Sequence, residues 1–235
     1  MKKLVLLFAA IACAAAFITS CNKNDKDEDK NPFDEYAVDL GLSVKWASVN
    51  VGATKEKDLG NYYGWGEISD KPDGVYYNWD SYEVFKGIGT DDASRDAALQ
   101  ALYDDNLLLK KEHDVASVQW GGSWRMPTLD EFEELITNCT WVMEPSDFDE
   151  WTANTPGGWR ITSKINGNSI YLPASGQRTN MNLEKDKGRL PYYWSANRDP
   201  EVDTYATNMG RFKNTAAWNS QYVCMGCTVR PVCDK

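Results

Sequence analysis

Six cysteines and one histidine bound the side-chain chemistry open to this 235-residue chain. Cys224 and Cys227 stand as Cys-Met-Gly-Cys, a spacing that suits half of a zinc site or a redox pair. Neither finds support nearby. There is no second Cys-x-x-Cys, His113 is the only imidazole, and no helical nucleophile context precedes Cys224. With Cys139 and Cys233 the pair makes four cysteines in the body of the chain, an even number that suggests disulfides in an exported protein. Three connectivities are possible. The favoured one joins Cys139 to Cys233, tying the end of a helix to the last strand, and closes the Met225–Gly226 turn with Cys224 and Cys227.

Other chemistry is thinly supplied. Ser–His or Cys–His catalysis would have to run through His113, which sits in "KKEHDVAS" and reads as a solvated loop histidine. The loop "WSANRDPEVDTY" gathers Asn197, Asp199, Glu201 and Asp203, oxygen ligands that calcium would accept, but Arg198 interrupts them and EF-hand spacing is missing. Asp and Glu total 35 against 25 Lys and Arg, a formal charge of −10. Carboxylate pairs in so acidic a chain point nowhere in particular. The same balance disfavours nucleic acid, whose phosphates need a basic face, and disfavours anionic polysaccharide. No metal and no cofactor is expected.

Aromatic rings are the richer resource, with ten tryptophans and twelve tyrosines. "WGGSWRMPT", residues 120–128, could be a stacking platform, but it reads better as a corner. Gly121 and Gly122 would let Trp120 and Trp124 fold back on one turn, with Arg125 free to pair with Glu131 or Glu134 or to stack on Trp120. The loops "NYYGWGE", "VYYNWDSY" and "TAAWNSQY" are expected to carry exposed rings suited to gripping sugars or partner proteins. The candidate contacts are Tyr62, Tyr63, Trp65, Trp79 and Trp218, with Arg178 and Asn180 of "GQRTNMN" as polar partners. The alternative use for these rings is to brace irregular loops.

The elements that must position these residues are short. "YAVDLGLSVKWASVNV" alternates apolar and polar residues and predicts two strands joined around Gly41. "DDASRDAALQALYDDN" predicts a helix capped by Asp92 or Ser94, with Ala98, Leu99 and Leu102 on one face. "TLDE" is a capping box in which Thr128 and Glu131 satisfy each other's backbone N–H groups, and Leu129, Phe132, Leu135 and Ile136 form the stripe behind it. After it come β-prone runs: "GWRITS", "SIYLPASG", "YYWSAN", "TYATNM" and "CTVRPVC". The pattern is α+β, loop-rich, with short antiparallel strands and one or two helices.

The first residues bear on compartment. "MKK" followed by a short Ala-rich apolar run is a secretory signal pattern. It ends in "ITSC", which resembles the lipobox of bacterial lipoproteins. Residues 1–20 would then be removed, Cys13 with them, and Cys21 would carry the lipid. Residues 21–35 follow as an acidic tether with too little apolar surface to fold, similar to the surface-export tag of Bacteroidota lipoproteins. Residues 36–235, about 200 in all, suffice for one domain with a sizeable core.

Several motifs of that domain occur in a known order. "VDLGLSVKWASVNVGATK", "GNYYGWGE", "DVASVQWGGSWRMPTLDEFEELI", "CTW", "NGNSIYLPASGQR", "YYWSAN" and "TVRPV" together resemble the Fibrobacter succinogenes major paralogous domain, over residues 38–232. "WRMPTLDEFEEL" is also similar to the corresponding segment of formylglycine-generating-enzyme-like domains. Both resemblances imply a C-type lectin-like fold. The first implies an outer-membrane lipoprotein, exposed at the cell surface and anchored through acylated Cys21, acting as a binding module for a glycan or a partner protein and not as an enzyme. The second keeps alive a copper oxidase in which Cys224 and Cys227 would hold the metal. A non-binding structural or fimbrial assembly subunit is the remaining alternative.

Overall fold

The computed structural model describes residues 31–152, 154–212 and 215–235. The signal segment 1–20, Cys21 and the tether as far as residue 30 lie outside the described residues. Residues 31–35, expected as the end of the tether, are instead docked. A 3-10 turn over Pro32–Tyr36, capped by Asn31, stacks Phe33 on Trp120 with ring centroids 4.8 Å apart. Two aromatic side chains in "NPFDEY" are enough apolar surface to hold it down.

The architecture is α+β, with three small antiparallel sheets and few helices. In the first sheet β1 (Ala37–Val38) pairs with β2 (Lys45–Ala47), which pairs in turn with β9 (Val232–Cys233). Gly41, at φ +76°, turns the chain between β1 and β2. The second sheet runs β3 (Cys139–Glu144), β4 (Gly158–Ser163) and β5 (Ser169–Pro173). The third runs β6 (Tyr192–Arg198), β7 (Tyr205–Phe212) and β8 (Thr215–Tyr222), with β8 at its edge. Among the described residues three α-helices accompany them rather than the one or two expected: α1 (Asp92–Gln100), α2 (Val115–Trp120) and α3 (Leu129–Asn138). At six residues α2 is too short to print a helical period, and its cap, Asp114, falls in the stretch that reads as a loop. The cap of α1 is Asp91, one residue earlier than expected, its carboxylate accepting from Ser94 N–H at 2.9 Å.

The capping box at α3 is complete, and Phe132 and Leu135 are buried behind it. Trp46, Trp159 and Tyr193 fill one cluster with them, while Trp65, Trp124 and Trp194 fill a second. The C-terminal stretch stitches the sheets together. Gly226 pairs with Arg178, Cys227 with Tyr63, Thr228 with Tyr193 and Val232 with Arg125. Midway along it Arg230 is wholly buried, donating to Asn50 Oδ1 at 2.8 Å and to the carbonyls of Ala47 and Tyr171 at 2.9 Å. Burial lowers its pKa to about 10, and three neutral acceptors satisfy its donors in place of a carboxylate. Among the described residues no helix is long and apolar enough to cross a membrane.

Candidate ligand-binding groove

The segment that builds the site is a small hairpin. Gln177 N–H donates to Lys185 O at 2.8 Å, and Thr179 N–H to Asn182 O at the same distance. Gly176 makes the entry possible: at φ +68°, a β-carbon there would lie 2.5 Å from Lys185 O. Arg178 and Gly226 exchange backbone hydrogen bonds of 2.8 and 2.9 Å, zipping the hairpin to the Cys-Met-Gly-Cys turn. Facing the hairpin are Tyr205 and the end of β8, Ser220 to Tyr222.

Between them lies an open groove of about 430 Å³. Asn180, Met181 and Asn182 form one wall, Tyr205, Gln221 and Tyr222 the other, with Gln177 and Met225 also lining it. Among the described residues Lys185 is the only charged one in the lining. Tyr205 and Tyr222 meet edge to face at 4.6 Å, and the hydrogen bond that the Tyr205 hydroxyl donates to Tyr222 raises the Tyr205 phenol pKa. Trp79 braces Tyr222 from behind at 5.6 Å and stacks on Phe85 at the same distance. It thereby separates the groove from a second cleft of about 290 Å³ lined by Trp79, Phe85 and Arg95.

The expected contact residues divide sharply. Tyr62, Tyr63 and Trp65 are core, not exposed loop rings. The Tyr62 hydroxyl donates to Ser175 O, the Trp65 indole to Ser195 O at 2.9 Å, and the Tyr63 backbone pairs with Cys227. These rings sit where the C-terminal stretch crosses the loops, so burial claims them. Arg178 is turned inward over the Tyr62 ring at 4.5 Å, with Asp70 at 3.8 Å. Asn180 lies in the groove, and Trp79 is its half-buried brace. Trp218 is exposed but belongs to strand β8 rather than a loop, beside Phe132 of α3 and outside the groove lining. Gln177, Asn182, Tyr205, Gln221 and Tyr222 were not singled out from sequence. The local signal for them is the carboxamide density of "GQRTNMN" and "NSQY".

The corner at residues 120–128 is closed to ligand stacking. Trp120 ends α2, Gly121 at φ +68° terminates it, and Trp124 lies edge-on to Trp120 at 5.0 Å. Trp124 donates to Asp34 at 3.2 Å and its carbonyl accepts from Ser117 Oγ at 2.9 Å. Arg125 pairs with Glu131, with Nη2 to Oε1 at 2.5 Å. Burial raises the Asp114 carboxyl, while backbone N–H groups of Met126 and Ser117 work the other way.

All four domain cysteines are buried free thiols in the structure. Cys139 lies in the Trp46 cluster, whereas Cys224, Cys227 and Cys233 lie in the Trp65 cluster. Burial pushes Cys139 up to about 11 and Cys224 up to about 12, and raises Cys227 as well. These surroundings disfavour the thiolate form of the pair at 224 and 227. Three of the four candidate calcium ligands before β7, all but Glu201, spend side-chain oxygens internally. Asn197 Oδ1 accepts from Leu129 N–H, Asp199 from Glu201, Val202 and Ser220, and Asp203 pairs with Arg198. His113 lines a mainly apolar cleft with Ile68, Ile88 and Leu102. Comparison of the chain with protein-family models, with curated proteins and with solved structures finds no match.

Proposed function

We propose that this chain is a lipoprotein of the major paralogous domain type, with a C-type lectin-like fold, displayed on the outer membrane through acylated Cys21. It acts there as a binding module, not an enzyme, and its ligand is an extracellular glycan or partner protein. The observation that carries this reading is the groove itself: a preformed concavity walled by braced tyrosines and lined by carboxamides. Such a surface offers contact area and directional hydrogen bonds with a single charged side chain, Lys185. Burial that disfavours thiolate at Cys224, and a disulfide that would consume the pair, weigh against copper oxidation as the alternative. The disulfides Cys139–Cys233 and Cys224–Cys227 belong to the same proposal, as bonds formed after export.

The test is a binding screen of the full chain against immobilised glycans and host proteins, with and without calcium, repeated with Tyr222→Ala. Expected is a ligand whose binding falls at least fivefold in the variant, on the order of a hot-spot loss. A silent variant would move recognition elsewhere. Lipid attachment is separable: Cys21→Ala should shift the protein out of the detergent phase, and labelled palmitate on that variant would remove the anchor.

A further inference from the structure

Resting on the reading of the groove as the recognition surface, we propose that its ligand is an uncharged, hydroxyl-rich sugar chain, and that Gln177 is the residue that reads it. Three independent features converge. The first is charge. The chain carries 35 Asp and Glu side chains, yet among the described residues no carboxylate lines the groove, where Lys185 is the one ion. Carboxylates stand close behind the lining instead. Asp199 holds Ser220 through its hydroxyl, and Glu184 and Asp186 flank Lys185 in sequence, with Glu184 paired to Lys187. A uronate or sulfated chain would meet these carboxylates with Lys185 as the one cation in the described lining, Lys187 being paired to Glu184.

The second is an unsatisfied acceptor. Gln177 is only 3% exposed, and its side-chain Oε1 is sealed from solvent with no hydrogen-bond partner among the described residues. Leaving a buried carbonyl unpaired destabilises the fold, and such groups persist where something else is gained. A ligand hydroxyl is a donor of the right kind and carries no charge into a buried position, and since Oε1 is sealed in the unliganded groove the Gln177 amide must turn toward the groove to accept it. The third is the stacking plate. Tyr222 is 42% exposed while Trp79 and Tyr205 fix it from two sides, so its open face is presented already ordered. The apolar C–H face of a pyranose fits such a ring, and Asn180 and Gln221 can each donate to and accept from its hydroxyls. The groove volume falls in the small-ligand range, about 300–1,000 Å³.

The full chain is titrated with neutral oligosaccharides (gluco-, manno-, galacto- and xylo-configured) beside oligogalacturonates, sulfated galactans and extended peptides. Expected is binding of at least one neutral chain, weakened roughly tenfold by Gln177→Leu and by Asn180→Ala, the latter exposed enough to leave folding intact. Gln177→Leu should also hold or raise the midpoint of thermal unfolding while it loses binding. A residue with a purely structural role would not separate the two readouts. Binding confined to acidic glycans or peptides, yet sensitive to Tyr222→Ala and Asn180→Ala, would overturn the ligand class and keep the groove. Neutral-sugar binding indifferent to all three substitutions would overturn the groove itself. Binding of no probe would overturn both.

Discussion

The corner at residues 120–128 and the groove beside β8 use similar materials to opposite ends. The corner draws in two tryptophans, two glycines, an arginine and a carboxylate pair, and its main polar groups find partners inside the fold. Asn31 donates to Trp120 O at 2.8 Å, Trp124 reaches Asp34, and Arg125 reaches Glu131. The groove is made of blander residues, tyrosines and carboxamides, yet it keeps an open ring and a buried carbonyl with nothing to bond. Residue types that look chemically potent are spent on packing when they are satisfied. What marks a surface for recognition is what the fold orders but leaves unused.

The contrast can be broken most forcefully at Trp124. Trp124→Ala should cost about 3–5 kcal/mol in urea unfolding, because the indole is fully buried, and should leave the affinity of the folded protein unchanged. An equally stable variant would reopen the corner as a ligand platform. Next in size come the cysteines. If Cys139 and Cys233 join on export, reduction should remove about 2–4 kcal/mol, and thiol titration should find fewer than four free sulfhydryls. Four free thiols in the exported protein would refute both pairings.

Thr128→Ala should cost about 1 kcal/mol by removing the cap of α3, again without touching binding. The same corner sets an acid limb. Burial works to raise the Glu131 carboxyl, but Arg125 and the Thr128 backbone outweigh it and hold the group below the ordinary glutamate range. A depressed native value means that the stabilisation is present above the unfolded value and is lost as pH falls through the native one. Glu131→Gln should flatten that part of the stability–pH curve. At the groove the effects on stability should be smallest: Asn180→Ala within about 0.5 kcal/mol of the parent, since it is exposed. A large loss there would make the hairpin a structural element.

Local rules made the helix α3, the turn at Gly41 and strand β4 legible, because a capping box, a glycine and an apolar alternation act within a few residues. Strand β8 was hidden: "TAAWNSQY" has too few β-branched or aliphatic residues to print a period, and pairing with β7 supplies what local preference lacks. Arg230 was hidden for the opposite reason, a cation in an apolar run whose partners lie 59 or more residues away. Exposed rings could not be told from buried ones by counting. Tyr62, Tyr63 and Trp65 vanish beneath the C-terminal stretch, whereas Tyr222 emerges because β8 is an edge. Asn180 was reachable because a run of carboxamides and a threonine so often makes a turn, here closed by Thr179 onto Asn182.

The most direct measurement is amide hydrogen exchange on the full chain with and without a saturating neutral oligosaccharide selected by the titration. Expected is added protection at residues 177–185 and 220–226, with residues 120–128 already protected and unchanged by the sugar. New protection confined to residues 120–128, with the hairpin and the end of β8 unaffected, would contradict the assignment of packing to the corner and recognition to the groove.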